Sequence, residues 1–177
     1  MNKITTGLCS LTVALLLTGC VVIPPLHEAA GRGDTATVRQ LLDQGTDVNA
    51  KAAGNWTALM SAAAEGRTET VELLLHRGAD VNATSDVVGW TALLSAAQQG
   101  HTGCVQVLLA HGADINQRTR PIATLPSHNA LEFARENGHP EIVQLVQAAS
   151  RNGNSSTLQP SAVPATLPPP AGAAAPF

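Results

Sequence analysis

Between residues 25 and 148 the chain repeats itself, and no other feature restricts its fold as much. Leu26, Leu59, Leu93 and Leu131 each stand seven residues before a glycine, at Gly33, Gly66, Gly100 and Gly138. Val38, Val71, Val105 and Val143 come five residues after those glycines, and Leu41, Leu74, Leu108 and Val146 eight after. Successive units are thus offset by 33, 34 and 38 residues. Within a unit, Leu59, Ala62, Ala63 and Gly66 fall on one face of a short helix, and Val71, Leu74 and Leu75 on one face of a second. The glycine between them permits a tight reversal. Thr57, Thr91 and Asn129 stand where a side-chain oxygen can satisfy the free amides of the first helix, whereas Pro24 offers none in the first unit. The second helices run into Gln44-Gly45, Arg77-Gly78 and His111-Gly112, and glycine suits a left-handed stop. The Asp-x-Asn segments that follow can organise a turn through bonds to nearby backbone. One helix pair has too little apolar face to stand alone, but stacked neighbours bury a continuous core. The expectation is an all-α repeat solenoid of about four helix-turn-helix units with projecting loops.

Several motifs share this register. Thr57-Ala58-Leu59-Met60 and Thr91-Ala92-Leu93-Leu94 stand where a Thr-Pro-Leu-His motif would, and Pro25-Leu26-His27 keeps its latter half. Gly100-His101 and Gly138-His139, the Val-x-x-Leu-Leu runs and Gly-Ala-Asp-Val-Asn complete the pattern. On these residues the segment 25–149 resembles the ankyrin repeat. The resemblance implies a scaffold that binds proteins through its projecting loops. The last unit departs from it: Arg135 replaces an alanine and no Gly-Ala-Asp follows, as suits a terminal unit facing water. Ala62, Ala63, Ala96 and Ala97 read as core spacers. Enlarging Ala63 or Ala97 should cost about 1–3 kcal/mol through overpacking.

Outside the repeats the composition changes. Lys3, an apolar run over residues 7–17 and the small Thr18-Gly19 have the layout of a processed leader, residues 1–19. Leu17-Thr18-Gly19-Cys20 resembles the lipobox of bacterial lipoproteins. That resemblance implies cleavage before Cys20, acylation of its sulfur and a tether of residues 20–24, rather than an ordinary secreted product or a retained anchor. Val21 after the cysteine implies an outer-membrane location facing the periplasm. With Cys9 in the leader and Cys20 lipidated, Cys104 is the one thiol left, so the fold cannot depend on disulfides. Residues 150–177 carry Pro160, Pro164, Pro168, Pro169, Pro170 and Pro176 among Ala and Ser. Their composition predicts an extended or disordered, dispensable tail.

Ten basic against thirteen acidic side chains give no basic patch for nucleic acid. Histidines 27, 76, 101, 111, 128 and 139 are spread through repeat positions, and His-Glu-x-x-His, Cys-x-x-Cys and a glycine-rich phosphate loop are missing. No catalytic residue, metal or cofactor is expected. Cys104 starts a second helix, where a thiol pKa can fall, but reads as a small packing residue. The candidate contact residues lie at the connections. Trp56 and Trp90 precede the capping threonines, and Arg118 and Arg120 lie in the insertion over residues 117–127. The plain reading packs both tryptophans at the loop bases and leaves both arginines solvated; the sharper one makes them a protein-binding surface. The chain is accordingly expected to be a monomeric, membrane-tethered scaffold for an envelope or periplasmic protein. The alternative is an immunity or inhibitor protein against a periplasmic toxin or a partner enzyme.

Overall fold

The computed structural model describes residues 25–86, 88–121 and 126–151. Cys20, the leader, the capping of the first helix by Pro24 and the tail from residue 152 lie outside the described residues.

Among the described residues eight α-helices form four pairs: α1 Pro25–Arg32 with α2 Thr35–Asp43, α3 Ala58–Ala64 with α4 Thr68–His76, α5 Ala92–Gln99 with α6 Thr102–Ala110, and α7 Ala130–Glu136 with α8 Pro140–Arg151. The first helices of the pairs stack in the order α1, α3, α5, α7, and the second helices α2, α4, α6, α8 form a parallel layer behind them. The fold is therefore an all-α stack of helix-turn-helix units. The expected caps are in place. Thr57 Oγ1 accepts from Met60 N at 3.3 Å, and Thr91 Oγ1 from Leu94 N at 3.2 Å. Asn129 and Glu132 form a reciprocal capping box, with both bonds at 2.9 Å.

Burial follows position in the stack. Leu74 and Leu108 are wholly buried, and so are Val38, Val71 and Val105. Val143 and Leu131, in the same columns as buried residues of earlier units, are only partly covered, the fourth unit being the last among the described residues. Arg135 is exposed in the column where Ala30, Ala63 and Ala97 are wholly buried, as suits a terminal unit facing water. Leu41, in the first described unit, is half-buried.

Side chains lock the register between units. The residue after each interhelical glycine reaches back to the preceding first helix: Arg67 Nε donates to Gly31 O at 3.0 Å, while His101 Nε2 and His139 Nε2 bond Ala64 O at 3.0 Å and Gln98 O at 3.1 Å. These carbonyls sit near helix C-termini, where main-chain acceptors lack intrahelical partners. Asp34 occupies the same column in the first unit and caps α2 by accepting from Thr37 N at 3.0 Å. A second ladder runs along the loops. Asn49 accepts from Asp80 N at 2.8 Å and donates to Gly78 O at 3.2 Å; Asn82 repeats this with Asp114 N at 2.8 Å and Gly112 O at 3.3 Å. The Asp-x-Asn segments thus make their own turns and also tie each unit to the next.

His27 is buried to 2% exposure in the column of Met60 and Leu94. Its Nε2 bonds Trp56 O at 2.9 Å, so Nε2 carries the proton, and Nδ1 is buried without a partner among the described residues. Burial pushes its pKa below the ordinary 6.5, with the Trp56 and Ala50 carbonyls offsetting part of the effect. The unfolded chain therefore binds this proton more readily than the folded one. Stability should be level above about pH 7.5 and decline as pH falls through about 6.5, the ordinary histidine value. Urea midpoints at pH 7.5 and 5.5 measure the decline, and His27→Met should flatten that interval. An equal decline in the variant assigns it to other groups.

Candidate protein-binding surface

The loops between units form a continuous strip. Each closes on itself at a related point: Ala52 N donates to Trp56 O at 2.8 Å, Ser85 N to Trp90 O at 2.9 Å and Thr119 N to His128 O at 2.8 Å. Successive loops are also joined, because Asp86 N donates to Gly54 O at 2.9 Å and Arg120 N to Val88 O at 2.7 Å. Asn55 Nδ2 donates to the Asp86 carboxylate across the same seam. Loop tips that would otherwise move independently are linked through main-chain bonds, so side chains on the strip keep fixed spacings.

Trp56 and Trp90 are half-buried at equivalent points of two loops, and His128 takes that point in the third. Their surroundings differ. Trp56 Nε1 donates to Ser61 Oγ at 3.0 Å within its own unit. Trp90 lies flat against Phe133 of the next unit, with centroids 5.1 Å apart and planes 19° apart, and His128 leans on the same Phe133 ring at 5.0 Å. Offset stacking of this kind adds to simple area burial. The two tryptophans thus pack at the loop bases and keep part of each ring open.

Arg118 and Arg120 are exposed but engaged. Arg118 Nη2 meets Glu132 Oε2 at 2.8 Å and Ser127 O at 2.8 Å, tying the 117–127 insertion to the start of α7. Arg120 Nη1 donates to Asp86 O at 2.8 Å, bridging the second and third loops. His128 Nε2 meets Glu136 at 2.9 Å. Bonding to Asn129 N, together with Arg118, holds the Glu132 carboxyl below its usual range. Asn129 in turn holds Glu132 where Arg118 can reach it.

Sequence reasoning placed Trp56, Trp90, Arg118 and Arg120 in the loops, and the structure ties Arg120 to the backbone of the loop that carries Trp90, at Asp86 O and Val88 O. It missed Phe133 and His128 as members of the cluster. Aligning the units by column, with His128 below Trp56 and Trp90 and Phe133 below Ser61 and Ser95, supplies the signal.

Cys104 is wholly buried with Sγ 3.5 Å from Thr68 Oγ1, and burial pushes its thiol above the ordinary value. It is a packing residue between α4 and α6. Among the described residues no three His, Cys, Asp or Glu side chains converge to hold a metal ion.

A family model for ankyrin repeats in three copies matches residues 9–85, 26–119 and 83–157, which together span most of the chain. The chain belongs to the ankyrin-repeat family. No curated protein matches it. An ankyrin-repeat stack is a non-catalytic scaffold typical of protein-protein interaction. Among the described residues no helix is long and apolar enough to cross a membrane.

Proposed function

We propose that this ankyrin-repeat protein is a membrane-tethered monomer that holds an envelope or periplasmic protein against its loop strip. One observation carries the binding part: the half-buried Trp90 stacked on Phe133, with His128 on the same ring. Aromatic and arginine side chains on a rigid frame suit a binding centre, because they offer large contact area while losing little conformational freedom. Tethering rests on the likeness of Leu17-Thr18-Gly19-Cys20 to a lipobox. Acyl chains on Cys20 would keep the repeats close to the bilayer, since only residues 21–25 separate it from Leu26. The protein would then stand at the outer membrane, facing the periplasm.

Capture from envelope extracts with the processed protein tests the surface. Trp90→His keeps a ring that the equivalent loop already accommodates at His128, and should weaken the captured partner at least about tenfold while leaving the melting temperature nearly unchanged. Equal affinity for the same partner would remove Trp90 from the surface. Arg120→Ala is expected to weaken binding less and to make it less sensitive to salt. A single tight partner whose toxicity is released by these changes would favour the immunity reading over a general scaffold. Intact mass before and after Cys20→Ser reads the lipid directly. An uncleaved leader without acyl mass removes the tether.

A further inference from the structure

Stacking brings together two histidines that stand 35 positions apart in the chain, His76 and His111. His76 is the last residue of α4, and His111 caps the end of α6. Both residues are exposed, and their rings meet edge to face with centroids 5.6 Å apart and planes 87° apart. One step earlier in the stack the same two columns hold Asp43, the last residue of α2, and Arg77, the cap of α4, which form an ion pair at 2.8 Å. Opposite charges make that earlier contact favourable in itself. Two imidazoles in its place lack such an attraction. The four remaining histidines are each committed through Nε2 to a protein oxygen: His27 to Trp56, His101 to Ala64, His128 to Glu136 and His139 to Gln98.

A neutral imidazole carries one lone pair and is the commonest protein ligand for divalent transition-metal ions. We propose that His76 and His111 together bind one zinc ion. No third His, Cys, Asp or Glu joins them among the described residues, so the rest of the metal's shell is filled by water. The spacing fits a tetrahedral ion. A Zn–N bond of about 2.0–2.1 Å places a ring centroid about 3.2 Å from the metal, so two rings at the tetrahedral angle have centroids about 5.2 Å apart. Small side-chain rotations close the observed 5.6 Å to that value. A square-planar ion with adjacent imidazoles needs a larger closure, to about 4.5 Å. The C-termini of α4 and α6 also favour a cation, because the carbonyl groups there carry partial negative charge. Arg77, beside His76 in the chain, has its charge paired with Asp43. Bound between the rings, the ion ties α4 to α6 and so the second unit to the third.

Calorimetric titration of zinc chloride into the full chain, without an affinity tag, tests the site. One equivalent is expected to bind through the pair. His76→Gln and His111→Gln should each weaken that equivalent at least about tenfold with unchanged helical circular dichroism, since either removes half of the protein ligands. At about a hundred times the dissociation constant, zinc should raise the melting temperature of the parent chain by at least about 5 °C, and that of each variant by at most about half as much. Magnesium chloride, whose cation prefers oxygen ligands, should do neither. Zinc bound with the same stoichiometry and affinity in either variant overturns the inference, assigning the metal to other groups such as the thiols of Cys9 and Cys20. Failure of the parent chain to bind zinc also overturns it and leaves the pair as a ring contact alone. Magnesium that displaces the zinc overturns it as well, because the attraction is then one of charge and not of imidazole.

Discussion

The Gly100→Ala substitution is expected to lower the unfolding free energy by about 2–5 kcal/mol, and Gly138→Ala by only about 1–2 kcal/mol. Both residues turn the chain between paired helices in the left-handed region, at φ 83° and 75°. Either alanine therefore carries the same backbone strain, about 1–2 kcal/mol. They differ in what lies beyond. A Cβ at position 100 would meet His139 Cε1 at 2.6 Å, and that ring cannot swing away without giving up its bond to Gln98 O at 3.1 Å. At position 138 no described residue lies within 4 Å. Denaturant unfolding of the two variants against the parent chain measures the difference. Equal losses would mean that His139 is not seated on Gly100 in solution.

Leu74→Ala should cost about 2–5 kcal/mol, the range for emptying a fully buried leucine site whose surroundings relax only in part. Leu74 is wholly buried in α4, within the second-helix layer. Against a total stability of about 5–15 kcal/mol, that loss threatens the whole stack. Val143→Ala, on the partly covered end, is expected to cost about 1 kcal/mol or less. The urea midpoints of the two variants decide the matter. A Val143 variant as damaged as the Leu74 variant would mean that something covers the end of the stack.

The stacking of units was legible because each unit repeats the same solution to burial. Leu, Ala, Gly and Val columns at fixed offsets specify which side of each helix meets its neighbour, and the capping roles of Thr57, Thr91 and Asn129 follow from their distance to the next leucine. Arg135 in an alanine column marked the last unit. The loop strip was less legible. Asp-x-Asn suggests a turn, but nothing in its spacing says that Asn49 and Asn82 reach the following loop, since that bond depends on how far apart stacking holds the units. Trp90 and Phe133 are separated by 43 positions, and they meet only because stacking sets α7 beside α5 and the second loop that leads into it. Val143 appeared equivalent to Val38 by position, yet it is only partly buried, because it lies in the last described unit of the stack.

The asparagine rungs join the first loop to the second and the second to the third, and neither reaches α8. Trp90 and Phe133 belong to different modules on either side of the last joint, so any molecule gripping both acts as a clasp across it. Occupancy should then be readable as slower amide exchange in α8, far from the gripped rings, turning the final helix into a gauge of whether the protein's hand is full.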